Sequence, residues 1–198
     1  THRIVPYCNI KSRCIISDEH NDIIDSFILK RSTHSIIEVS QFLKNNFSID
    51  ATIDQDIVRS YDHDWSNIVG NADALFRPRN SNECAIIMKV CNELNIKMTI
   101  SAGRTNLTGS ATPNGGVIIS INKINKIYDL DRENKQITSS PGVYIEELRK
   151  YVANESNNKL EFPVDPTSRE DAMVGGAISC NASGFIPGER GAMRHWVY

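Results

Sequence analysis

The stretch 101–110, Ser-Ala-Gly-Arg-Thr-Asn-Leu-Thr-Gly-Ser, gathers groups that bind anions, and it follows a short apolar run at 97–100. Glycine takes positive φ without steric cost, so Gly103 and Gly109 allow the chain to curl after a strand and turn successive N–H groups inward. Several hydroxyl groups and the guanidinium of Arg104 add further donors. The stretch therefore predicts a loop that binds phosphate or diphosphate, with an ordinary glycine-containing connection as the alternative.

Two familiar phosphate-binding motifs are absent from the chain. A P-loop ends in Gly-Lys-Ser or Gly-Lys-Thr, whereas Gly109 is followed by Ser110 and Ala111. No segment has the G-x-G-x-x-G spacing of a dinucleotide-binding Rossmann turn. If the loop binds phosphate, it does so through another architecture.

A second region of interest begins with the two prolines of the segment 162–166, which predict a rigid, extended backbone. Ser168 then caps a predicted helix over 171–180, and this helix contains the adjacent pair Gly175 and Gly176. Each glycine costs about 1 kcal/mol in a helix interior relative to alanine. Close approach of the helix backbone to a flat or charged ligand explains that cost, and tight packing against a strand is the alternative.

Composition limits the classes of protein to which the chain can belong. Its 198 residues are 40% hydrophobic, enough for one or two domains with apolar cores, and its net charge of -2 argues against nucleic acid as a partner. No apolar run is long enough to span a bilayer and no signal pattern opens the chain, so we expect a cytoplasmic protein without a transmembrane segment. Five cysteines without a Cys-x-x-Cys pair predict free thiols, and scattered histidines predict no metal site. Ten of the eleven glycines lie between Gly103 and Gly191, so we expect the binding surface in the second half.

The elements that must position these groups follow from apolar periodicity. Helical spacing predicts two helices within 22–46, with Ser32 or Thr33 as the N-cap of the second. The polar and aromatic stretch 60–67 is interpreted as a solvated loop rather than a catalytic cluster. Strands and helices then alternate: strands at 74–77, 97–100 and 117–121, a helix capped by Ser81, an antiparallel pair over 127–130 and 136–140, and a helix over 145–153. The fold class is α+β.

The order of the motifs resembles the FAD-binding domain of the vanillyl-alcohol-oxidase superfamily, and most closely its D-lactate dehydrogenase and glycolate oxidase branch. The motifs are Ala-Gly-Arg-Thr-Asn-Leu-Thr-Gly from Ala102, Gly-Gly-Val-Ile-Ile from Gly115, Ser-Pro-Gly-Val from Ser140, Phe-Pro-Val-Asp-Pro-Thr-Ser from Phe162, Gly175-Gly176, Asn-Ala-Ser-Gly from Asn181 and Gly-Ala-Met-Arg from Gly191. The resemblance implies a PCMH-type fold of two α/β subdomains with FAD between them. It also implies a helical lead-in over 1–60 and an FAD-binding domain over 61–198, incomplete at its C-terminus and without the substrate domain.

The resemblance also implies which residues hold the cofactor. The first loop wraps the FAD diphosphate, and the proline-rich and small-residue segments line the rest. The implied cofactor-binding residues are Ala102, Gly103, Arg104, Thr105, Asn106, Gly109, Ser110, Pro141, Gly142, Pro166, Ser168, Gly175, Gly176, Asn181, Ser183 and Gly184. Related enzymes attach FAD covalently through a histidine in the first loop, and this loop has none, so we expect non-covalent FAD.

As to activity, the resemblance implies an FAD-dependent oxidoreductase, a dehydrogenase that oxidises a D-2-hydroxy acid such as lactate or glycolate and passes the electrons to an unidentified acceptor. Catalytic residues are expected beyond residue 198, so we expect this fragment to be inactive alone. Two alternatives stay open: a truncated FAD-binding module without turnover, and an NADPH-dependent flavin reductase of the same superfamily.

Overall fold

The computed structural model describes residues 16–30, 33–185 and 191–198 and has the expected α+β architecture. Its helices are α1 (Asp18–Leu29), α2 (Ile36–Phe47), α3 (Gln55–Val58), α4 (Ser81–Glu93), α5 (Ile145–Glu155) and α6 (Val174–Ser179), with short 3₁₀ turns at Arg59–Tyr61 and Met193–His195. Its strands are β1 (Asp50–Thr52), β2 (Ala74–Arg77), β3 (Met98–Ser101), β4 (Val117–Ser120), β5 (Ile127–Asp131) and β6 (Gln136–Ser139). None of the described helices is long and apolar enough to cross a membrane.

The first half of the molecule contains a four-stranded sheet in the order β1-β2-β4-β3. Strands β2, β4 and β3 are parallel, and β1 joins β2 in antiparallel pairing. All four residues of β4 are buried, as expected of a central parallel strand with an apolar sequence. Ser101 at the end of β3 is paired with Ser120 at the end of β4, so the loops that follow both strands leave the same edge of the sheet.

Helices α1, α2 and α4 pack on this sheet through a continuous apolar core that includes Ile24, Leu43 and Phe76. The N-cap of α2 is Ser35, not Ser32 or Thr33 as predicted; Ser32 lies outside the described residues. Ser35 and Glu38 form a capping box in which each side chain accepts from the other residue's backbone N–H, which satisfies two otherwise unpaired donors.

The N-cap of helix α4 also lies one residue earlier than predicted. Its N-cap is Asn80 rather than Ser81, and the Asn80 side chain accepts a hydrogen bond from the backbone N–H of Glu83 at 2.9 Å. The extended backbone of Asn80 is the conformation that an N-cap requires.

The second half contains the β5-β6 hairpin, α5 and α6 around a separate core that includes Val143, Leu148 and Met193. Helix α6 is shorter than the predicted 171–180, and Ser168 does not cap it. The physical reason is that Met173 forms an antiparallel bridge with Tyr144, which keeps the backbone extended up to the start of the helix. Ser168 instead accepts backbone hydrogen bonds from residues 171 and 172 in a turn.

Candidate functional site

The loop after β3 faces the small-residue segments of the second half across a trough of about 750 Å³. We call residues 102–111 the first loop, and residues 166–168 together with 173–183 the opposite wall. The volume lies in the range of pockets that hold small molecules and cofactors. A smaller hollow of about 320 Å³ lies against α1 and α2, away from both segments. The trough is therefore the candidate site.

Twelve of the sixteen predicted cofactor-binding residues line the trough: Ala102, Gly103, Arg104, Thr105, Asn106, Ser110, Pro141, Pro166, Ser168, Gly175, Gly176 and Ser183. Gly109, Gly142, Asn181 and Gly184 do not line it. Asn181, for example, accepts a hydrogen bond from the backbone N–H of Arg194 at 3.0 Å, which fixes its amide against the end of the chain.

The motifs did not predict a further set of lining residues: Met98, Thr99, Ile100, Ala111, Ile121, Thr167, Ala172, Met173, Ala177, Ser179, Cys180 and Ala182. Those from β3 could have been found, because the end of a strand that leads into a binding loop commonly borders the ligand. The apolar members give the trough a partly hydrophobic surface, which suits a ligand with a flat ring system.

The first loop leaves its main chain available to a ligand. In the described part of the protein, no backbone N–H from Gly103 to Ser110 donates a hydrogen bond to another residue. Arg104 and Gly109 have positive φ, 55° and 73°, so the loop curls as predicted, although Arg104 and not Gly103 provides the first turn. Free N–H groups in a curled loop form an anion-binding concavity, and this donor set fits a diphosphate.

Arg104 contributes to the trough in a different way from the expected direct charge. Its guanidinium carbon lies 4.4 Å from the centre of the Tyr61 ring, a cation–π contact. One guanidinium nitrogen also donates to the Ser101 hydroxyl at 3.4 Å. These two contacts hold the side chain of a residue whose backbone conformation is unfavourable for non-glycine residues.

Most of the predicted site glycines serve packing rather than ligand approach. A Cβ on Gly103 would collide with the carbonyl oxygen of Asp171, and one on Gly184 with that of Asp165. A Cβ on Gly175 would lie 2.7 Å from the Cβ of Pro141. The missing side chains at these three positions therefore allow close contact with neighbouring segments of the protein.

Gly176 is the exception among the helical glycines. A Cβ there would meet one atom within 4 Å, the Cβ of Ala102 at 3.2 Å on the other side of the trough. A methyl group at Gly176 would therefore crowd Ala102 and narrow the trough at this point. Of the two explanations for the adjacent glycines, internal packing applies to Gly175, whereas Gly176 lines the trough and has one looser contact.

The prediction of a solvated loop over 60–67 is wrong for Asp64, which is only 2% exposed. Its carboxylate accepts hydrogen bonds from the backbone N–H of Ser66 at 2.9 Å and of Ala111 at 3.4 Å, and from Nδ2 of Asn106 at 2.5 Å. Burial acts to raise the pKa of Asp64, but these hydrogen bonds outweigh it and hold the pKa below its usual range. Asp64 is thus a buried, ionised side chain directly behind the first loop.

Other residues of the 62–72 segment hold the residues that directly follow the first loop. Asn71 donates its backbone N–H to the Pro113 carbonyl at 3.0 Å and accepts from Gly115 at 2.8 Å. The Thr112 hydroxyl donates to the Ile68 carbonyl at 3.2 Å. By contrast, the neighbouring pair of the exposed His63 and the partly buried Asp62, joined at 2.7 Å, does not line the trough.

Ion pairs tie the opposite wall to α5. The Arg169 guanidinium contacts the Asp165 carboxylate at 2.8 Å and Glu146 at 3.0 Å, and Arg149 reaches Asp165 at 3.3 Å. The hydrogen bond between Arg169 and Asp165, together with the attraction between their charges, raises the pKa of Arg169. The proline-rich turn that bears Pro166 is therefore fixed from behind by charged side chains.

Comparison with known proteins agrees with this geometry. A family model described as "FAD binding domain" matches residues 72–198. A D-lactate dehydrogenase of Anaerostipes hadrus is 34% identical over 148 residues, which cover 73% of this chain and 30% of that protein. Glycolate oxidase subunit GlcD of Bacillus subtilis (strain 168) is 31% identical over 63% of this chain and 26% of its own length. A D-2-hydroxyglutarate dehydrogenase of Stutzerimonas stutzeri (strain A1501) is 28% identical over 73% of this chain and 31% of its own length.

Solved structures show the same fold. An alkyldihydroxyacetonephosphate synthase superposes with a TM-score of 0.71 at 19% identity, over 82% of this chain and 32% of the synthase. Xylooligosaccharide oxidase from Myceliophthora thermophila C1 superposes with a TM-score of 0.59 at 18% identity, over 76% of this chain and 31% of the oxidase. The chain thus spans about a third of the length of the proteins it matches. The expected PCMH-type fold is confirmed, and the chain belongs to the FAD-binding domain family of flavin oxidoreductases.

Proposed function

We propose that the trough binds FAD non-covalently, with the first loop around the diphosphate and the opposite wall along the remainder of the cofactor. The observation that carries this proposal is the run of free backbone N–H groups from Gly103 to Ser110 at the edge of a trough in a chain of the FAD-binding family. Main-chain donors neutralise a diphosphate without a lysine. The first loop contains no histidine to which the flavin could be attached.

The residues of this chain have distinct roles in the proposal. The first loop supplies hydrogen-bond donors, Gly176 leaves room between the two sides of the trough, and apolar residues such as Ile100 and Ile121 exclude water from the flat part of the ligand. We assign the domain to residues 61–198, and the pairing of β1 with β2 adds residues 50–52 to its sheet. FAD, when bound, supplies the redox chemistry.

We further propose that the whole protein is a dehydrogenase that oxidises a D-2-hydroxy acid to the 2-oxo acid, with a separate electron acceptor. Support comes from relatives named D-lactate dehydrogenase, glycolate oxidase subunit and D-2-hydroxyglutarate dehydrogenase. This chain covers only about 30% of such proteins. We therefore assign the groups that bind the substrate's carboxylate, and those that remove a proton from the substrate, to other segments of the whole protein. We propose a cytoplasmic location from the odd number of cysteines and the lack of a Cys-x-x-Cys pair.

The test is anaerobic reduction of the intact natural polypeptide loaded with FAD. D-lactate, glycolate and D-2-hydroxyglutarate are added separately, with L-lactate as the stereochemical control and NADPH as the test of a flavin reductase. We expect the flavin absorbance to bleach with at least one of the hydroxy acids and not with L-lactate. Bleaching by NADPH alone contradicts the dehydrogenase assignment. A flavin spectrum that none of these compounds changes contradicts it as well.

The mode of attachment is tested on the same sample. Denaturation should release FAD into the supernatant without proteolysis. Flavin that stays with the precipitated protein contradicts non-covalent binding.

A further inference from the structure

The buried carboxylate of Asp64 joins the segment before β2 to the first loop through hydrogen bonds. Its Oδ1 accepts the Ser66 N–H, which fixes the carboxylate on its own segment, and its Oδ2 accepts from both Asn106 and Ala111. Asn106 and Ala111 stand at the middle and the end of the first loop. A single carboxylate oxygen therefore holds the loop at two positions, Asn106 and Ala111.

Asn106 also forms hydrogen bonds with other residues of the first loop. The same Nδ2 group that contacts Asp64 lies 2.9 Å from the Ser110 hydroxyl and 3.3 Å from the Thr108 hydroxyl. A carboxylate only accepts hydrogen bonds, so it determines that the NH₂ side of the Asn106 amide faces inward. The curl of the loop between residues 106 and 111 is thus organised around Asp64, while the backbone N–H groups from Gly103 to Ser110 donate to no other described residue.

We propose that Asp64 is a positioning residue for FAD: its buried carboxylate holds Asn106 and Ala111 so that the first loop presents its N–H groups to the diphosphate. This role rests on the proposed binding of FAD in the trough. Asp64 itself does not line the trough, so it acts through the residues it holds.

The charge of Asp64 allows positioning to be distinguished from simple electrostatics. The negative charge of Asp64 lies behind the proposed diphosphate site and repels the diphosphate. This repulsion is strongest where the surroundings exclude water. If that repulsion dominated, neutralising Asp64 would tighten FAD binding. If positioning dominates, the same substitution weakens it, because an amide at residue 64 presents a donor either to Ser66 or to the pair Asn106 and Ala111.

The experiment measures FAD affinity of the apoprotein of the intact natural polypeptide, by flavin fluorescence, for wild type, Asp64→Asn and Asp62→Asn. Asp62 is the matched control: it lies two residues away, and Asp62→Asn makes the same charge change, but its carboxylate pairs with the exposed His63 and not with the first loop. We expect Asp64→Asn to weaken FAD binding about tenfold or more and Asp62→Asn to change it less than about twofold.

A double-mutant cycle tests whether Asp64 acts through Asn106. In an Asn106→Ala background, Asp64→Asn should weaken FAD binding by a smaller factor than it does in wild type, because the main contact is already lost. Equal factors in both backgrounds contradict positioning through Asn106.

The outcomes separate the inference from the function on which it rests. Unchanged or tighter binding by a folded Asp64→Asn variant, with a wild type that binds FAD, overturns the positioning role. A wild type that takes up no FAD overturns the proposed function itself. If Asp64→Asn is unfolded by circular dichroism, Asp64→Glu replaces it: the charge stays and the oxygens move by one methylene, so weakened binding supports positioning and unchanged affinity overturns it.

Discussion

The two sides of the trough look alike in sequence, both rich in glycine, serine, asparagine and alanine, but they are held in place by different forces. Polar side chains hold the first loop from behind, with the buried carboxylate of Asp64 as their centre. Behind the opposite wall, ion pairs of Arg169 provide the support, and close packing at glycine contributes on both sides, at Gly103 in the first loop and at Gly175 in the opposite wall. A similar composition therefore hides two kinds of structural requirement.

This difference predicts two kinds of mutational effect. Changes behind the first loop should alter FAD affinity, since the N–H groups they orient are free for a ligand. Changes at Gly175 in the opposite wall, and at Gly184 directly after it, should alter stability first, since a Cβ at either position would overlap neighbouring protein atoms. The substitutions below test that separation, from the largest expected effect to the smallest.

The largest effect is expected for Gly184→Ala. The new Cβ would collide with the carbonyl oxygen of Asp165, which is backbone and also accepts from the Phe185 N–H. We expect the free energy of unfolding, measured by urea denaturation, to fall by about 3 kcal/mol. Gly115→Ala is the control: its Cβ would meet no atom within 4 Å, so only the strain of φ +78° applies, about 1 kcal/mol. Equal losses in the two variants would contradict the packing role of Gly184.

The adjacent glycines of α6 sharpen the comparison within a single helix. Gly175→Ala brings a Cβ to 2.7 Å from Pro141, and we expect it to lower the free energy of unfolding by about 2 kcal/mol. Gly176→Ala should leave stability unchanged or raise it by up to about 1 kcal/mol, because alanine favours helix. The same Gly176 variant should bind FAD more weakly, because its methyl group narrows the trough next to Ala102. Loss of stability in both variants without any change in FAD affinity would contradict the distinction between them.

A smaller effect is expected when the ion pairs behind the opposite wall are removed. Arg169→Gln loses contacts to Asp165 and Glu146, but its side chain is 37% exposed, so solvent screening keeps the loss of stability below that expected for Gly175→Ala. Lys150→Gln, which removes a 3.5 Å contact between a 67% exposed side chain and Glu146, should cost almost nothing. Urea denaturation at low and high salt checks both, and the Arg169 effect should shrink in high salt. A salt-independent loss would contradict an electrostatic origin.

The smallest effect is expected for the pH dependence of stability, as the pH is lowered into the acid range. Since hydrogen bonds hold the pKa of Asp64 below its usual range, its carboxylate stabilises the fold above the pKa of the unfolded chain, and this contribution is lost as the pH falls through the lowered folded value. The difference in free energy of unfolding between wild type and Asp64→Asn should therefore shrink below about pH 4. Urea denaturation between about pH 7 and about pH 3 measures it. A difference that stays constant over this interval would show that the ionised form is not what stabilises the loop.

Local patterns in the sequence predicted much of the architecture and the general place of the site. Apolar periodicity located α4, α5 and the buried strand β4, and the donor-rich stretch after β3 located the first loop. Strand β1 was missed because three residues carry no detectable alternation. Its existence depends on pairing with β2, which is a tertiary contact.

The features that the sequence could not reveal are those that depend on distant partners. Asp64 looked solvated because its neighbours are polar, yet its partners Asn106 and Ala111 lie 42 and 47 residues further along the chain. The start of α6 depends on the bridge between Met173 and Tyr144. The role of each glycine likewise depends on which backbone it touches, and the sequence does not contain that information.

Cys180 offers the most direct test that the trough holds FAD. It lies exposed on the trough, whereas Cys91 is buried, and burial raises the pKa of the Cys91 thiol to about 12, which keeps it unreactive. The measurement is the alkylation rate of each cysteine by iodoacetamide, followed by mass spectrometry on the intact natural polypeptide with and without saturating FAD. We predict that FAD slows the alkylation of Cys180 about tenfold or more and leaves Cys91 unmodified in both samples. Equal rates at Cys180 in the two samples, with FAD demonstrably bound, would contradict the assignment of the cofactor to this trough.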